Sequence, residues 1–176
     1  MNTKAFFKFT AAVLKNYRQT GAVVPSSQYL ANAMSEQVTI GMSNGGRLIE
    51  LGPGTGKITE KIHDRKPILV EFDADLASYL RTKFPQLEVV HSCAIGFLTS
   101  ISEPCFIVSS IPLINNPKKP DLIRILTEMR SVGLISGLVT YSYARRSPLT
   151  DIGFTSALAS RIIWRNVPPA TVWRYA

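Results

Sequence analysis

The sequence has little cysteine and no long apolar segment. Its two cysteines, Cys93 and Cys105, lack the C-x-x-C or histidine-containing spacing of a metal site, and they are too few for a disulfide framework. We therefore expect no metal and a reducing compartment, the cytoplasm. No apolar run reaches the roughly 18 residues of a membrane span, and Lys8 and Lys15 interrupt the stretch where a signal peptide would be apolar. These absences count against an integral membrane protein and a disulfide-rich secreted one.

Acidic residues are scarce at both ends of the chain. Residues 1–35 carry four basic side chains and no acid, and residues 131–176 carry five arginines against Asp151 alone. Residues 36–130 hold eleven basic and eleven acidic side chains, so the two ends account for the formal net charge of +8. Basic ends of this kind indicate an anionic partner, either lipid headgroups or nucleic acid.

The 176 residues contain no internal repeat and fit a single domain, 1–176. Short apolar strands alternate with amphipathic helices, which predicts an α/β fold with a doubly wound, mostly parallel seven-stranded sheet. We place the core at 46–176 and an N-terminal helix and lid region at 1–35. The predicted strands are 47–51, 67–72, 87–91, 105–109 and 134–143, followed by an antiparallel pair at 160–165 and 171–175. Predicted helices cover 55–64, 73–83 and 120–130.

The N-terminal region has the pattern of a basic amphipathic helix over residues 3–18. Its apolar residues recur at helical spacing, and its lysines fall elsewhere on the helix. Such a helix suits an anionic bilayer surface, with Phe6 among acyl chains and Lys4 and Lys8 near phosphates. The alternative is that the helix packs on the domain as a lid.

The most specific motif is Glu50-Leu-Gly-Pro-Gly-Thr-Gly56, between a predicted strand and a predicted helix. Its glycines allow a tight turn and close backbone approach to a ligand. A dinucleotide-binding loop would read G-x-G-x-x-G and hold a pyrophosphate, whereas this loop reads G-x-G-x-G behind an acid. Glu71 ends the next strand about 20 residues later, where an acid can accept hydrogen bonds from ribose hydroxyls. Acids at two strand ends favour a cationic nucleoside without phosphates, such as S-adenosylmethionine.

Several motifs together resemble a known family. The glycine loop and Leu69–Asp73 (LVEFD) resemble the class I S-adenosylmethionine-dependent methyltransferases, which have a Rossmann-like fold. Phe6-Phe7, residues 21–27 (GAVVPSS), residues 110–113 (SIPL) and residues 164–170 (WRNVPPA) extend the resemblance to the bacterial phospholipid N-methyltransferases that convert phosphatidylethanolamine to phosphatidylcholine. The similarity runs along nearly the whole chain.

The resemblance implies a set of cofactor contacts. The loop residues would surround the methionine part of S-adenosylmethionine, Glu71 would bind its ribose, and two serines would lie near its carboxylate. Many class I enzymes carry an acid after the third strand to contact adenine, where this chain reads His91-Ser-Cys-Ala94. Cys93 or a backbone group could replace that acid, which leaves the adenine contact open. The expected cofactor-binding residues are Glu50, Gly52, Pro53, Gly54, Gly56, Glu71, Phe72, Cys93, Ser26 and Ser27.

The resemblance also implies how the methyl acceptor is held. Ser110 and neighbouring carbonyls, ahead of the rigid Pro112, would orient an amine lone pair. Leu113 stands where amine-directed relatives commonly have an aromatic residue, which counts against stacking a flipped base and hence against a nucleic-acid substrate. The amine must lose a proton before attack, and the candidate acceptors are Tyr141, Tyr143 and His91.

The expected function is N-methylation of the amine headgroup of a phospholipid, with phosphatidylethanolamine as the leading substrate. The protein would act in the cytoplasm, peripherally bound to the inner face of the membrane, where Arg145 and Arg146 could hold a lipid phosphate. The alternatives are methylation of another amino lipid, such as an ornithine lipid, or of a small amine, and adenine methylation of ribosomal RNA. A domain that only binds anionic lipid is the non-enzymatic alternative.

Overall fold

The computed structural model describes residues 26–42, 46–111, 119–143, 147–149 and 159–175. The predicted helix at 3–18 and six of the predicted site residues lie outside these ranges. Their placement therefore stays a prediction. These six residues are Lys4, Phe6, Lys8, Pro112, Arg145 and Arg146.

Five helices and seven strands make up the described part of the chain. The helices are α1 (Gln28–Gly41), α2 (Thr59–Ile62), α3 (Ala74–Lys83), α4 (Ala94–Leu98) and α5 (Lys119–Ser131), and a 3₁₀ turn, His63–Arg65, follows α2. The strands are β1 (Arg47–Leu51), β2 (Ile68–Glu71), β3 (Val89–His91), β4 (Cys105–Ser109), β5 (Ile135–Ser142), β6 (Ala159–Ile163) and β7 (Ala170–Tyr175). None of the helices in the described ranges has the length and apolar character needed to cross a bilayer.

The seven strands form one sheet in the order β3-β2-β1-β4-β5-β7-β6. Strands β1 to β5 are parallel, whereas β7 is antiparallel to both β5 and β6. Leu51 pairs with Val70 on one side and with Ser109 on the other, so these strands end level with one another. We call this side of the sheet the carboxyl edge. The chain order reverses direction between β1 and β4, and open α/β sheets bind ligands in the crevice at such a point.

Helices cover both faces of the sheet. One face packs under α1, α2 and α3, and its core includes Met34, Phe106 and Val139. The other face packs under α4 and α5, with Ile107 and Leu126 in its core. Parallel strands that are buried on both faces have continuous apolar sequences. For this reason β4 (CFIVS) and β2 (ILVE) were recognisable as strands from the sequence.

The structure confirms the predicted Rossmann-like fold and corrects several elements. Strands 47–51 and 105–109 have the predicted bounds, and the closing antiparallel pair is present. The predicted helix at 55–64 begins four residues late, because residues 54–58 form turns of the glycine loop. Helices α1 and α4 were missed. The predicted division of the chain at residue 35 falls inside α1, whose buried side packs into the core of the domain.

We expect α1 to contribute to folding as a core element. Met34 is fully buried in α1, whereas Ile40 on the same helix is 52 % exposed. Met34→Ala should lower the free energy of unfolding by about 2–4 kcal/mol, since it removes buried methylene groups and leaves a cavity. Ile40→Ala is the matched control and should cost well under 1 kcal/mol. Urea denaturation measures both, and equal losses would contradict the packing of α1.

Candidate active site

The glycine loop follows β1 at the carboxyl edge of the sheet, and its backbone requires glycine at two positions. Gly52 and Gly56 have φ of +67° and +74°, a region that side chains rarely adopt. A Cβ on Gly56 would lie 2.5 Å from the ring of Phe84, and one on Gly52 would lie 3.0 Å from Ile111. The loop is therefore packed tightly between α3 and the segment that follows β4.

Glu71 fastens this loop to the end of β2. One carboxylate oxygen accepts a hydrogen bond of 3.0 Å from the Gly54 N–H. The other accepts from the N–H groups of Phe72, at 2.8 Å, and Asp73, at 3.0 Å. Burial raises the pKa of Glu71 above its ordinary value, and these three donors oppose the shift by stabilising the charged form. The role predicted for Glu71 was ribose binding, and the structure adds that its carboxylate positions the loop.

Glu50 is a fully buried carboxyl at the start of the same loop. Its Oε2 accepts a hydrogen bond of 2.7 Å from the Thr59 hydroxyl, and its Oε1 has no partner among the described residues. Burial raises the pKa of Glu50 to about 7, and the nearby charge of Glu71 adds to the shift. A buried acceptor without a donor is costly, so this oxygen fits a ligand that brings a donor or a positive charge.

Ser110 and Tyr141 lie at the same edge. The Ser110 N–H donates to the Leu51 carbonyl at 2.9 Å, which places Ser110 beside the glycine loop. Ser109 pairs with Thr140, so Ser110 and Tyr141 are each the next residue along neighbouring strands. The Ser110 hydroxyl is buried without a partner among the described residues. By strand alternation, Ser110, Tyr141 and the two glutamates share the sheet face that α1, α2 and α3 cover.

The predicted serines lie at the beginning of α1. The Ser27 hydroxyl caps α1 by accepting from the Leu30 N–H at 3.2 Å. Ser26 hydrogen-bonds the phenol of Tyr141, whose pKa is raised because the ring is buried. The structure thus brings Ser26, Ser27 and Tyr141 together above β5.

The predicted adenine region lies on the β3 side of the edge. Phe72 is 75 % exposed directly after β2, and its carbonyl is 3.0 Å from His91 Nε2. Cys93 precedes α4 and is only partly buried, so it differs from the fully buried apolar residue that cysteine most often is. Pro53 is buried, and its carbonyl accepts from the Gly56 N–H at 2.9 Å within the loop.

Two residues of the site were missed by the sequence analysis. Thr59 holds Glu50, and Asn166 accepts the Ser27 N–H at 3.0 Å across the domain. Thr59 could have been found, because it comes nine residues after Glu50, on the helix that the glycine loop opens. Asn166 belongs to the WRNVPPA motif, but no local pattern shows that this turn reaches α1.

The chain is similar to several known methyltransferases. No protein-family model matches the chain. An ornithine lipid N-methyltransferase from Singulisphaera acidiphila is 30 % identical over 95 % of this chain and 93 % of its own length. A ribosomal RNA small subunit methyltransferase A from Hahella chejuensis is 34 % identical, but over only 46 % of this chain and 32 % of its own length.

A solved structure has the same fold at much lower identity. The N-methyltransferase NodS from Bradyrhizobium japonicum WM9 superposes with a TM-score of 0.63 at 10 % identity, over 84 % of this chain and 95 % of that one. A second structure of NodS is a complex with S-adenosyl-L-homocysteine, and its TM-score is also 0.63.

The buried charge of Glu50 makes stability depend on pH. Because its pKa is about 7 in the folded chain and 4.5 as the reference, folding takes up a proton between these values. Stability is therefore highest at low pH within this window and falls as the pH rises through about 7. The loss from pH 5 to pH 8 should be larger in the wild type than in Glu50→Gln, by up to ~3 kcal/mol.

Urea denaturation of the ligand-free protein at both pH values measures this difference. Replacement of the exposed Glu88 by glutamine is the control and should leave the wild-type pH dependence intact. An identical pH dependence in wild type and Glu50→Gln would show that Glu50 carries no buried charge.

Proposed function

This chain belongs to the class I S-adenosylmethionine-dependent methyltransferases, the family of the ornithine lipid N-methyltransferase it resembles, and we propose that it methylates the amine of an amino lipid. The observation that carries the proposal is the end-to-end match to that relative, at 30 % identity over 95 % of this chain. Ribosomal RNA small subunit methyltransferases match over 46–60 % of this chain and only 32–40 % of their own length, which weakens the RNA alternative.

The relative and the acceptor segment support the proposed substrate class. Ornithine lipid and phosphatidylethanolamine both present a primary amine on a lipid anchor. The same active site could therefore methylate either amine. The relative's substrate favours the ornithine-lipid alternative over the phosphatidylethanolamine first expected. Leu113, in place of an aromatic residue, offers no ring on which a nucleobase could stack. The basic ends of the chain support action at an anionic membrane surface, and we propose peripheral binding at its cytoplasmic face.

The glycine loop and its two glutamates would hold the cofactor. S-adenosylmethionine supplies, when bound, a methyl group activated on a sulfonium. The free Oε1 of Glu50 suits the ammonium of its methionine part, and Glu71 beside Gly54 suits a ribose hydroxyl. Phe72, exposed after β2, provides an apolar surface for adenine.

Ser110 and Tyr141 would orient the acceptor amine. An ammonium has no lone pair, so the amine must be neutral when it reaches the methyl group. The buried hydroxyl of Ser110 is free to accept a hydrogen bond from an N–H of the amine. This bond would orient the lone pair of the amine nitrogen toward the methyl group. The phenol of Tyr141, linked to Ser26, lies one strand away and stays protonated because burial raises its pKa, so it can orient the amine by hydrogen bonding while the departing proton goes to water. Alignment in a site closed to water is the main contribution of the protein to such an in-line displacement.

The proposal is tested by incubating the full chain with methyl-labelled S-adenosylmethionine and four acceptors in parallel. These are vesicles with ornithine lipid, vesicles with phosphatidylethanolamine, vesicles with neither lipid, and ribosomal RNA. We expect label in an amino lipid and none in vesicles that lack one. Label found only in RNA would reject the lipid substrate. Label in both amino lipids would show that the site recognises the amine and not the rest of the headgroup.

Adjacent serines provide a matched test of the acceptor site. Ser109 and Ser110 both have buried hydroxyls without partners among the described residues, but strand alternation places them on opposite faces of the sheet. Ser110→Ala should lower kcat by about 10-fold, because the amine loses one orienting hydrogen bond. Ser109→Ala should change kcat little. Equal effects of the two substitutions would remove Ser110 from the acceptor site.

A further inference from the structure

The turn between β6 and β7 exposes large apolar side chains close together. Trp164 is 67 % exposed and Val167 is 80 % exposed, and Pro168 and Pro169 follow as exposed residues. Arg165 lies between them and is also exposed. A single exposed apolar residue is ordinary, but a cluster of them beside a cation marks a surface that binds something.

This turn lies at the carboxyl edge, with the glycine loop. Because β5 and β6 are both antiparallel to β7, β6 runs in the direction of the parallel strands and ends at their edge. Thr171 pairs with Ser142, the last residue of β5, so residues 164–169 extend past the end of that strand. The exposed cluster therefore lies at the same edge of the sheet as the proposed site.

Asn166 anchors the turn to α1. Its side chain is 3 % exposed, accepts from the Ser27 N–H at 3.0 Å and donates to the Pro168 carbonyl at 2.7 Å. Its own N–H donates to the Ile163 carbonyl at 3.2 Å. The buried asparagine thus holds the turn in place while the neighbouring side chains face solvent.

The charge beside the cluster is positive, and among the described residues Arg165 has no acidic partner. Arg165 donates to the Tyr29 hydroxyl at 3.2 Å, and its guanidinium is 5.0 Å from the centre of that ring. No carboxylate in the described ranges forms an ion pair with Arg165, whereas Arg161 pairs with Glu36 at 3.1 Å. A groove of about 390 Å³ between α1 and β6 is lined by Tyr29, Trp164, both arginines and the Glu36 that pairs with Arg161.

We propose that the hairpin surface, formed by Tyr29, Trp164, Arg165 and Val167, docks on an anionic lipid bilayer. Tryptophan and tyrosine prefer the headgroup level of a membrane, where the arginine meets lipid phosphates. The positive charge of the surface complements an anionic membrane. This inference rests on the proposed function, since docking at the carboxyl edge brings a lipid amine to the site without extracting the lipid.

Intrinsic fluorescence tests the contact directly, because the chain has two tryptophans and the other, Trp173, is 7 % exposed. The full chain is mixed, without methyl donor, with vesicles of phosphatidylcholine and phosphatidylglycerol that contain no amino lipid. Trp164 emission should shift to the blue and be quenched by brominated lipid chains, and Trp164→Phe should abolish the response. Sedimentation with vesicles but no change in Trp164 emission would overturn the proposal.

Two valines provide a matched pair for the affinity. Val167 is 80 % exposed in the hairpin surface, and Val132 is 70 % exposed before β5, at the opposite edge of the sheet. Val167→Ser should weaken vesicle partitioning by about 10-fold, whereas Val132→Ser should leave it unchanged. Equal partitioning of the two variants would refute the docking surface. A dimer that Val167→Ser dissociates, without vesicle binding, would also refute it and assign the surface to a second copy of the chain.

Activity assays separate this inference from the proposed function. Val167→Ser should lower methyl transfer to amino lipid in vesicles but leave kcat/KM unchanged for a short-chain, water-soluble amino lipid. Loss of transfer to both would overturn a role confined to docking. If no amino lipid is methylated while partitioning still depends on Val167, the docking surface stands and the proposed substrate fails.

Discussion

Two buried carboxylates set the geometry on which the site depends. Glu71 binds the N–H of Gly54 and so fixes the path of the glycine loop. Glu50 is buried below the same loop with one oxygen free, and burial raises its pKa to about 7. Because a buried negative charge without a positively charged partner opposes folding, the arrangement is least favourable when the site holds no positive charge. In the proposed function, a sulfonium nucleoside with an ammonium group would supply this charge.

The sheet brings the remaining parts of the site to this loop. β1 and β4 are adjacent although distant in sequence, so Ser110 arrives beside Leu51 at the point where the chain order reverses. α1 adds Ser26 and Ser27 above β5, and Asn166 ties the β6–β7 turn to the same helix. The catalytic and lipid-facing roles proposed for these groups thus share one edge of the sheet.

Much of the fold could be predicted from the sequence because its parallel strands are buried on both faces. β1 (RLIEL) and β4 (CFIVS) are short, largely apolar segments with clear ends, and the bounds predicted for both strands were correct. The glycine loop was recognisable because its spacing and its two acids are local. α1 was missed because its apolar residues recur less regularly than those at 3–18, and the short α4 offers only a five-residue pattern. The link from Asn166 to Ser27 spans 139 residues and depends on the tertiary fold, so no local pattern could reveal it.

We propose that the bound cofactor compensates the charge of Glu50. Calorimetry of S-adenosylhomocysteine binding at pH 7, in buffers of different ionisation enthalpy, measures the proton release that this requires. Since the pKa of Glu50 is about 7 without ligand and should fall when an ammonium binds beside it, we expect release of roughly half a proton per site. The release should disappear in Glu50→Gln. Binding without proton release in the wild type would contradict the account.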